Sequence, residues 1–330
     1  MDLVTPVCRM LGMRSPVVQA PIGSASTPEL AAAVARAGGL GTLALTWAPA
    51  AEVGPRVART LALSDGAPIA VNLVLAFPVA DRLAECLDAG ARIVSTFWGD
   101  PAPLNPRIKA AGAVHLHTVG SAAEAVAAAD SGVDVIIAQG AEAGGHVWGK
   151  VPTMALVPAV VDALAGRAPV IAAGGIADGR GLAAALALGA QAAWMGTRFL
   201  ASHEAATHDE YRRQVLAASE TASTYTLAFD GGWPAAPHRA LHNSTLDAWT
   251  TAGRPPAPNR PGEGDVLAHD PSGRPHLRYA DTIPLPTMNG DLEAMALYAG
   301  TSAALVHEVL PAPQIITDTV HQARRILTPT

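Results

Sequence analysis

The chain has 330 residues, of which 50% are hydrophobic, 15% are charged and only 4% are aromatic. A net charge of −6, without a Lys/Arg cluster, argues against a nucleic-acid partner. No apolar run reaches the ~20 residues of a membrane span, no signal peptide is recognisable, and Cys8 and Cys86 cannot form a disulfide framework. We therefore expect a cytoplasmic protein with one large domain and an accessory part.

In chain order, a glycine repeatedly ends an Ala-rich helical segment just before a short β-prone run. Helical segments of this kind include residues 27–37, 80–89 and 122–129. Alternation of strand and helix through the first ~200 residues predicts a (β/α)8 TIM barrel. An open doubly wound sheet is the alternative that alternation alone leaves open. The predicted strands are residues 17–21, 40–45, 69–75, 92–97, 114–119, 133–138, 170–173 and 191–195.

The composition changes after the eighth predicted strand. A helical stretch over 211–220 precedes a segment rich in Pro, Gly, Arg and His, and residues 254–262 cannot form a regular element. Because loops at this end of a barrel build active sites, we expect residues 205–282 to be an inserted lid or second domain; a disordered linker is the alternative. The barrel would then comprise 1–204 and 283–330, closed by helices over 291–310 and 314–327.

Glycines follow the seventh and eighth predicted strands. Gly174 and Gly175 come directly after the seventh strand, and Gly196 and Thr197 after the eighth. Loops at these two positions of a barrel commonly hold a phosphate on backbone N–H groups, and a side chain would keep the phosphate away. Together they predict a cofactor that carries a phosphate.

A third glycine-rich stretch, residues 139–146, follows the sixth predicted strand and ends in His146. An imidazole there can take a proton at neutral pH, although a loop histidine bonded to backbone is the plainer interpretation. Residues 39–44 match a dinucleotide-binding fingerprint by letters only, because a helix precedes them and a strand follows. His238 and His242 have metal-ligand spacing, but their loop-like context does not favour a metal site.

These stretches resemble one known family. Gln19-Ala20-Pro21-Ile22, Asn72, Gly140-x-Glu142-Ala143-Gly144-Gly145-His146, Ala173-Gly174-Gly175-Ile176 and Gly196-Thr197-Arg198-Phe199 are similar to the nitronate monooxygenases. The resemblance runs from about residue 17 to 200 and resumes, more weakly, near 285–310. It implies non-covalent FMN at the barrel mouth and His146 as the catalytic histidine. The implied cofactor-binding residues are Ala20, Pro21, Asn72, Gln139, Gly144, Gly145, Gly174, Gly175, Gly196 and Thr197. We also place His117 near the flavin, where the family has a lysine; a His117 side chain that faces outward is the alternative.

The resemblance also implies a reaction. Members oxidise alkyl nitronates with molecular oxygen to a carbonyl compound and nitrite, and some accept neutral nitroalkanes. His146 would be either the base that removes the α-proton or a positive charge that stabilises an anion. The chain departs from the better-known branch in having His115-Leu116-His117-Thr118 where a lysine is usual, Val147-Trp148 after His146, and Ala299-Gly300-Thr301 for Ala-Gly-Gln. These differences bear on the substrate.

Other functions fit the same fold. A flavin-dependent enoyl-acyl-carrier-protein reductase would use NAD(P)H, and a specialised oxidase of secondary metabolism would act on another nitro compound. A non-catalytic FMN-binding module would not need His146. A homodimer is the default expectation for the oligomeric state.

Overall fold

A closed barrel of parallel strands forms the body of the protein. The computed structural model describes residues 3–328. Eight strands form one parallel sheet in the order β1-β9-β8-β6-β5-β4-β3-β2, and a bridge between Val18 and Leu40 joins its two ends. The predicted TIM barrel is therefore confirmed. In chain-order numbering its strands are β1 (Val17–Gln19), β2 (Gly41–Ala44), β3 (Ile69–Val74), β4 (Ile93–Phe97), β5 (Val114–Val119), β6 (Val135–Gln139), β8 (Val170–Ala173) and β9 (Ala192–Met195).

Helices surround this barrel and follow most of its strands. Several begin with a hydroxyl or carboxylate cap, as at Ser121, whose Oγ accepts from the Glu124 N–H. Glycines follow many of their ends in the left-handed conformation, as at Gly38 (φ 99) and Gly90 (φ 100). The helices are α1 (Pro6–Leu11), α2 (Pro28–Arg36), α3 (Ala50–Leu63), α4 (Ala80–Asp88), α5 (Asn105–Ala110), α6 (Ala122–Asp130), α7 (Thr153–Leu164), α8 (Gly179–Ala187), α9 (Thr197–Leu200), α10 (Asp209–Leu216), α11 (Ser244–Thr251) and α12 (Ala312–Leu327).

The barrel interior is a packed core. Alternate strand residues such as Val18, Leu116 and Ile171 point inward and form one buried cluster. Helix α1 adds Val7, Cys8 and Leu11 to it, and the Val7 N–H donates to Gln191 Oε1 at 2.9 Å, so α1 packs against the end of the barrel where the strands begin. The opposite, C-terminal end is left open for a site.

The segment after β9 folds into helices and small sheets. Strands β10 (Ser223–Thr226) and β11 (His238–Leu241) pair with β7 (Gly145–His146), which lies in the loop after β6. A second sheet contains β12 (Val266–His269), β13 (Pro275–Leu277) and β14 (Asn289–Gly290). The region 205–282 is thus ordered rather than a linker. The bounds 205–282 of the inserted region stay a proposal, because β14 belongs to its second sheet and lies beyond residue 282.

The C-terminal helix predictions have different outcomes. The helix over 314–327 is confirmed as α12, and that over 211–220 as α10, which ends earlier, at Leu216. The predicted helix over 291–310 is wrong, because that segment is extended apart from the 3-10 turn Thr301–Leu305. Its backbone is bonded to neighbours instead: the Leu241 N–H donates to the Leu297 carbonyl at 2.8 Å. Within residues 3–328, no helix is long and apolar enough to cross a membrane.

Candidate active site

A cavity of about 770 Å³ opens at the C-terminal end of the barrel. Each of the eight barrel strands contributes a residue at or just beyond its end, because parallel strands all finish at this edge. Segments that follow β9 cover the cavity, with Trp233, Asp281 and Tyr298 among the lining residues. The strand-end residues are Ala20, Ala44, Asn72, Phe97, Thr118, Gln139, Gly174 and Gly196.

One side of the cavity, which we call the glycine end, consists of Gly174, Gly175, Gly196 and Thr197. Gly174 and Gly175 have φ values of 101 and 73, which side chains rarely adopt. Within the described residues, the four amide N–H groups donate no hydrogen bond. Unpaired donors that converge on a cavity suit a phosphate. This side of the cavity therefore fits a phosphate group.

The loop between β6 and β7 is held to its surroundings by Glu142. The Glu142 carboxylate accepts hydrogen bonds from Thr153 N at 2.9 Å and Thr153 Oγ1 at 2.9 Å, at the start of α7. Gly144 packs so closely on the backbone after Ala299 that an added Cβ would lie 2.4 Å from Gly300 N. Glu142 thus has a structural role, and glycine is required at position 144 for the close approach.

His146 is positioned from two sides. Its carbonyl accepts from Gln139 Nε2 at 3.2 Å, and Gln139 Oε1 accepts from the Trp148 N–H at 3.0 Å. On the other side, β7 pairs with β11 so that His146 lies opposite His238. The sequence predicted Gln139 as a cofactor residue; its amide also fixes the backbone that carries His146.

The His146 ring is uncharged at neutral pH. Burial, and to a smaller extent the nearby His238, lowers its pKa to about 3. Its Nε2 is buried and has no hydrogen-bond partner among the described residues. The ring lies 4.2 Å from Trp233 and 5.5 Å from Tyr298, centroid to centroid. Such a neutral imidazole can accept a proton from a bound molecule, but it brings no positive charge.

Three aromatic rings line a second side of the cavity and three more pack behind them; we call the six rings the aromatic wall. Four of the six tryptophans in the chain belong to it. The wall forms one connected set, with centroid distances from 4.6 Å between Trp98 and Trp233 to 6.0 Å between Trp47 and Trp233. Sequence analysis noted only Trp148; the signal for the others was large aromatic residues close after strand ends. The members are Trp47, Phe77, Phe97, Trp98, Trp148 and Trp233.

The structure brings nearly all of the predicted site residues to this cavity. Asn72 donates from Nδ2 to Ser95 Oγ at 2.8 Å, which orients its amide. Gln19 Oε1 accepts from the Thr42 N–H at 2.9 Å and its Nε2 donates to the Ala20 carbonyl, so it fixes the loop that precedes Pro21. The predicted residues that line the cavity are Ala20, Pro21, Asn72, Gln139, Gly144, Gly145, His146, Gly174, Gly175, Gly196 and Thr197.

His117 is the exception, because it does not line the cavity. Its neighbour Leu116 belongs to the barrel interior and Thr118 lines the cavity, so the side chain of His117 points to the other face of β5. There its Nδ1 and the Nε2 of His115 each lie 2.8 Å from Thr96 Oγ1. Burial lowers the His117 pKa to about 4. The structure therefore places Thr118 at the cavity and gives His117 the outward-facing position.

His238 and His242 do not share a site. The Nδ1 of His238 lies 3.0 Å from the Ala236 carbonyl, and its Nε2 accepts from the Phe229 N–H at 3.3 Å. Both ring nitrogens are thus engaged within the protein, and the ring is a neutral tautomer. His242 is exposed and lies 3.4 Å from Asp247.

A family model and a curated relative agree on one protein family. The nitronate monooxygenase family model matches residues 5–80 and 46–322. A nitronate monooxygenase from Pseudomonas aeruginosa is 33% identical over 96% of this chain and 98% of its own. A (3aS,4S,5R,7aS)-5-hydroxy-7a-methyl-1-oxo-octahydro-1H-indene-4-carboxyl-CoA dehydrogenase from Mycobacterium tuberculosis is 38% identical over 77% of this chain and 70% of its own.

Two solved structures are similar over almost their whole length. FabK from Thermotoga maritima has a TM-score of 0.80 at 30% identity, covering 98% of this chain and 97% of its own. A nitroalkane oxidase from Streptomyces ansochromogenes has a TM-score of 0.77 at 30% identity, covering 96% and 98%. Because each similarity covers at least 96% of this chain, both include the segments that cover the cavity.

Proposed function

The chain belongs to the nitronate monooxygenase family and is a flavin-dependent oxidoreductase, and from that premise we propose an FMN-dependent oxidation of nitronates and neutral nitroalkanes. The products would be a carbonyl compound and nitrite, with molecular oxygen as the co-substrate. The observation that carries the proposal is the uncharged His146 ring, whose Nε2 has no hydrogen-bond partner among the described residues, in the cavity that the glycine end also lines.

FMN is the flavin that the glycine end suits. The free amides of Gly174, Gly175, Gly196 and Thr197 would hold its single phosphate. The residues that would flank the ribityl chain and the ring are Ala20, Pro21, Asn72, Gln139, Gly144 and Gly145. When bound, the flavin accepts electrons from the substrate and passes them to oxygen.

For a neutral nitroalkane, His146 would act as the base. Because its pKa is lowered to about 3, the ring is in the unprotonated form that a base requires over the whole neutral range, but the same burial lowers its proton affinity. Proton uptake places an imidazolium beside the nitronate that forms, and attraction between the two charges offsets the desolvation cost of the imidazolium. The same neutral ring gives little support to an alternative in which a protonated His146 holds a pre-formed anion.

One experiment tests the reaction. The purified flavoprotein is mixed anaerobically with ethyl nitronate, with nitroethane, and separately with NADH and NADPH. We expect both nitro compounds to bleach the flavin, with nitrite released in air. Inertness to them, together with fast bleaching by a pyridine nucleotide, would contradict the proposal and favour the enoyl-acyl-carrier-protein reductase. Inertness to every reagent would favour a flavin-binding module.

A second candidate is oxidation of a CoA thioester. It is supported by the 38% identity to the carboxyl-CoA dehydrogenase and by a cavity that continues to Arg274 and His276. Arg274 is exposed and could contact a phosphate, and His276 has a buried Nε2 that finds no hydrogen-bond partner within residues 3–328. Anaerobic bleaching by a saturated cyclic acyl-CoA, with no nitrite from nitroethane in air, would favour this candidate. A cytoplasmic location and a homodimer stay predictions.

A further inference from the structure

We propose that the aromatic wall binds a flat, uncharged ring of the substrate, so that the preferred substrates are aryl-substituted nitroalkanes rather than short-chain ones. This inference rests on the proposed function for the reacting nitro group. The wall itself is argued from ring positions, exposure and charge, which are independent of the reaction.

The wall is built in two rows. Trp47, Phe97 and Trp233 line the cavity. Behind them, Phe77 lies 5.3 Å from both Trp47 and Trp233, and Trp98 lies 5.3 Å from Phe97 and 4.6 Å from Trp233. Most of these pairs meet edge to face, the arrangement that ring quadrupoles prefer. The lining rings are therefore held in place before a ligand arrives, which lowers the entropic cost of binding.

Two features of the wall are costly unless something is bound there. Trp47 is 48% exposed, although large apolar side chains are normally covered. Trp98 has a φ of 64, a left-handed conformation that bulky residues rarely adopt and that is found mainly at functional sites. Trp47 lines the cavity, and Trp98 packs behind the lining rings against the cluster that contains Trp233.

Charge at the cavity favours an uncharged ring. Of the lining residues, only Arg274 carries a fixed positive charge, against Asp270 and Asp281. Burial raises the pKa of the Asp281 carboxyl, and no other described side chain forms an ion pair with it. An anionic substituent beside the wall would meet this carboxylate without a compensating cation.

The position of the aromatic wall also determines where a substituent on the bound aryl ring would lie. The Trp233 ring lies 4.2 Å from the His146 ring, and the Trp98 ring lies 6.1 Å from it. A nitromethyl group on an aryl ring that contacts Trp233 would therefore lie beside the proposed base. This places the reacting carbon by side-chain packing, whereas the glycine end places the cofactor.

Binding can be measured without turnover. Nitrobenzene and 2-methyl-2-nitropropane both lack an α-proton, and only the first has a flat ring. By isothermal titration calorimetry on the flavin-loaded protein, we expect nitrobenzene to bind about tenfold more tightly. Trp233→Leu should remove about tenfold of that affinity and Trp233→Phe should restore most of it. Trp249→Leu is the matched control, because Trp249 packs in a separate cluster and donates to the Pro255 carbonyl at 2.9 Å.

Kinetics then connect the subsite to the reaction. For each substrate, kcat/KM of Trp233→Leu is divided by the wild-type value, which cancels the different acidities of the substrates. We expect a loss of about tenfold with phenylnitromethane and less than threefold with nitroethane. Equal losses, equal binding of the two unreactive ligands, or loss of flavin from Trp233→Leu would overturn the inference. If no nitro compound is turned over but nitrobenzene binding depends on Trp233, the proposed function fails and the subsite stands.

Discussion

The two sides of the cavity are built from different parts of the chain. The glycine end uses backbone amides from the turns after β8 and β9, whereas the aromatic wall uses side chains from four separated segments and the region after β9. Backbone sites require particular residues next to each other, so they leave local patterns in the sequence. A wall of side chains requires only that distant residues meet after folding. His146 lies between the two, and changes at each side should have separable effects.

The largest expected effect is on turnover at His146. His146→Ala should leave flavin bound, because the glycine end is untouched, and should lower kcat for neutral nitroalkanes by roughly 10²–10⁴. Stopped-flow reduction of the flavin and the visible flavin spectrum measure the two properties separately. His242→Ala, an exposed histidine outside the cavity, is the control. Unchanged turnover in His146→Ala would remove this residue from the mechanism.

The next effect should be on flavin affinity at the glycine end. In Gly174→Ala, the new Cβ would lie 3.0 Å from the Gly140 carbonyl oxygen, at a φ of 101. The turn must therefore shift, and we expect flavin to bind about 10²-fold more weakly, since a hydrogen bond to a charged group contributes about 1.5–3 kcal/mol. Fluorescence titration of the apoprotein with FMN measures the dissociation constant.

The matched control for Gly174→Ala is Gly253→Ala. Gly253 also has a positive φ, 81, but nothing lies within 4 Å of an added Cβ and it does not line the cavity. This variant carries a similar backbone strain away from the site. An equal loss of FMN affinity in both variants would mean that general destabilisation, and not the glycine end, controls binding.

The sequence predicts the features built from adjacent residues and not those built from side chains that meet only after folding. The barrel, the glycine end and the position of His146 were all marked by adjacent glycines and by strand–helix alternation. The error at His117 was one of parity: successive strand residues face opposite sides, and Thr118, one residue later, faces the cavity. The helix prediction over 291–310 was wrong because the apolar residues of this segment are buried without forming a helix. Periodicity over a short apolar run does not distinguish a helix from a buried extended segment.

A smaller effect is expected where the loop before His146 joins α7. Glu142→Gln keeps the shape of the side chain but leaves one uncharged oxygen to accept from Thr153 N and Oγ1, where the carboxylate offers two charged ones. We expect a loss of about 1–2 kcal/mol in the free energy of unfolding, measured by urea denaturation. Glu52→Gln, whose exposed ion pair with Arg56 is on the surface, should change stability by about 0–1 kcal/mol. If the two variants were equally stable, the Glu142 cap would be unimportant.

The smallest expected effect is the dependence of the reaction on pH. With a pKa lowered to about 3 by burial, His146 is neutral, the form that a base requires, at every pH above about 4. The value of kcat/KM for nitroethane should therefore stay level from pH 8 down to pH 5, since the free enzyme gains no proton on His146 in that window. An exposed histidine would lose its basic form below its ordinary pKa of ~6.5 and the rate would fall about tenfold per pH unit. A decline that begins near pH 6.5 in wild type and is absent in His146→Ala would show that the ring is solvated. The aromatic rings around it, and above all Trp233, would then not exclude water.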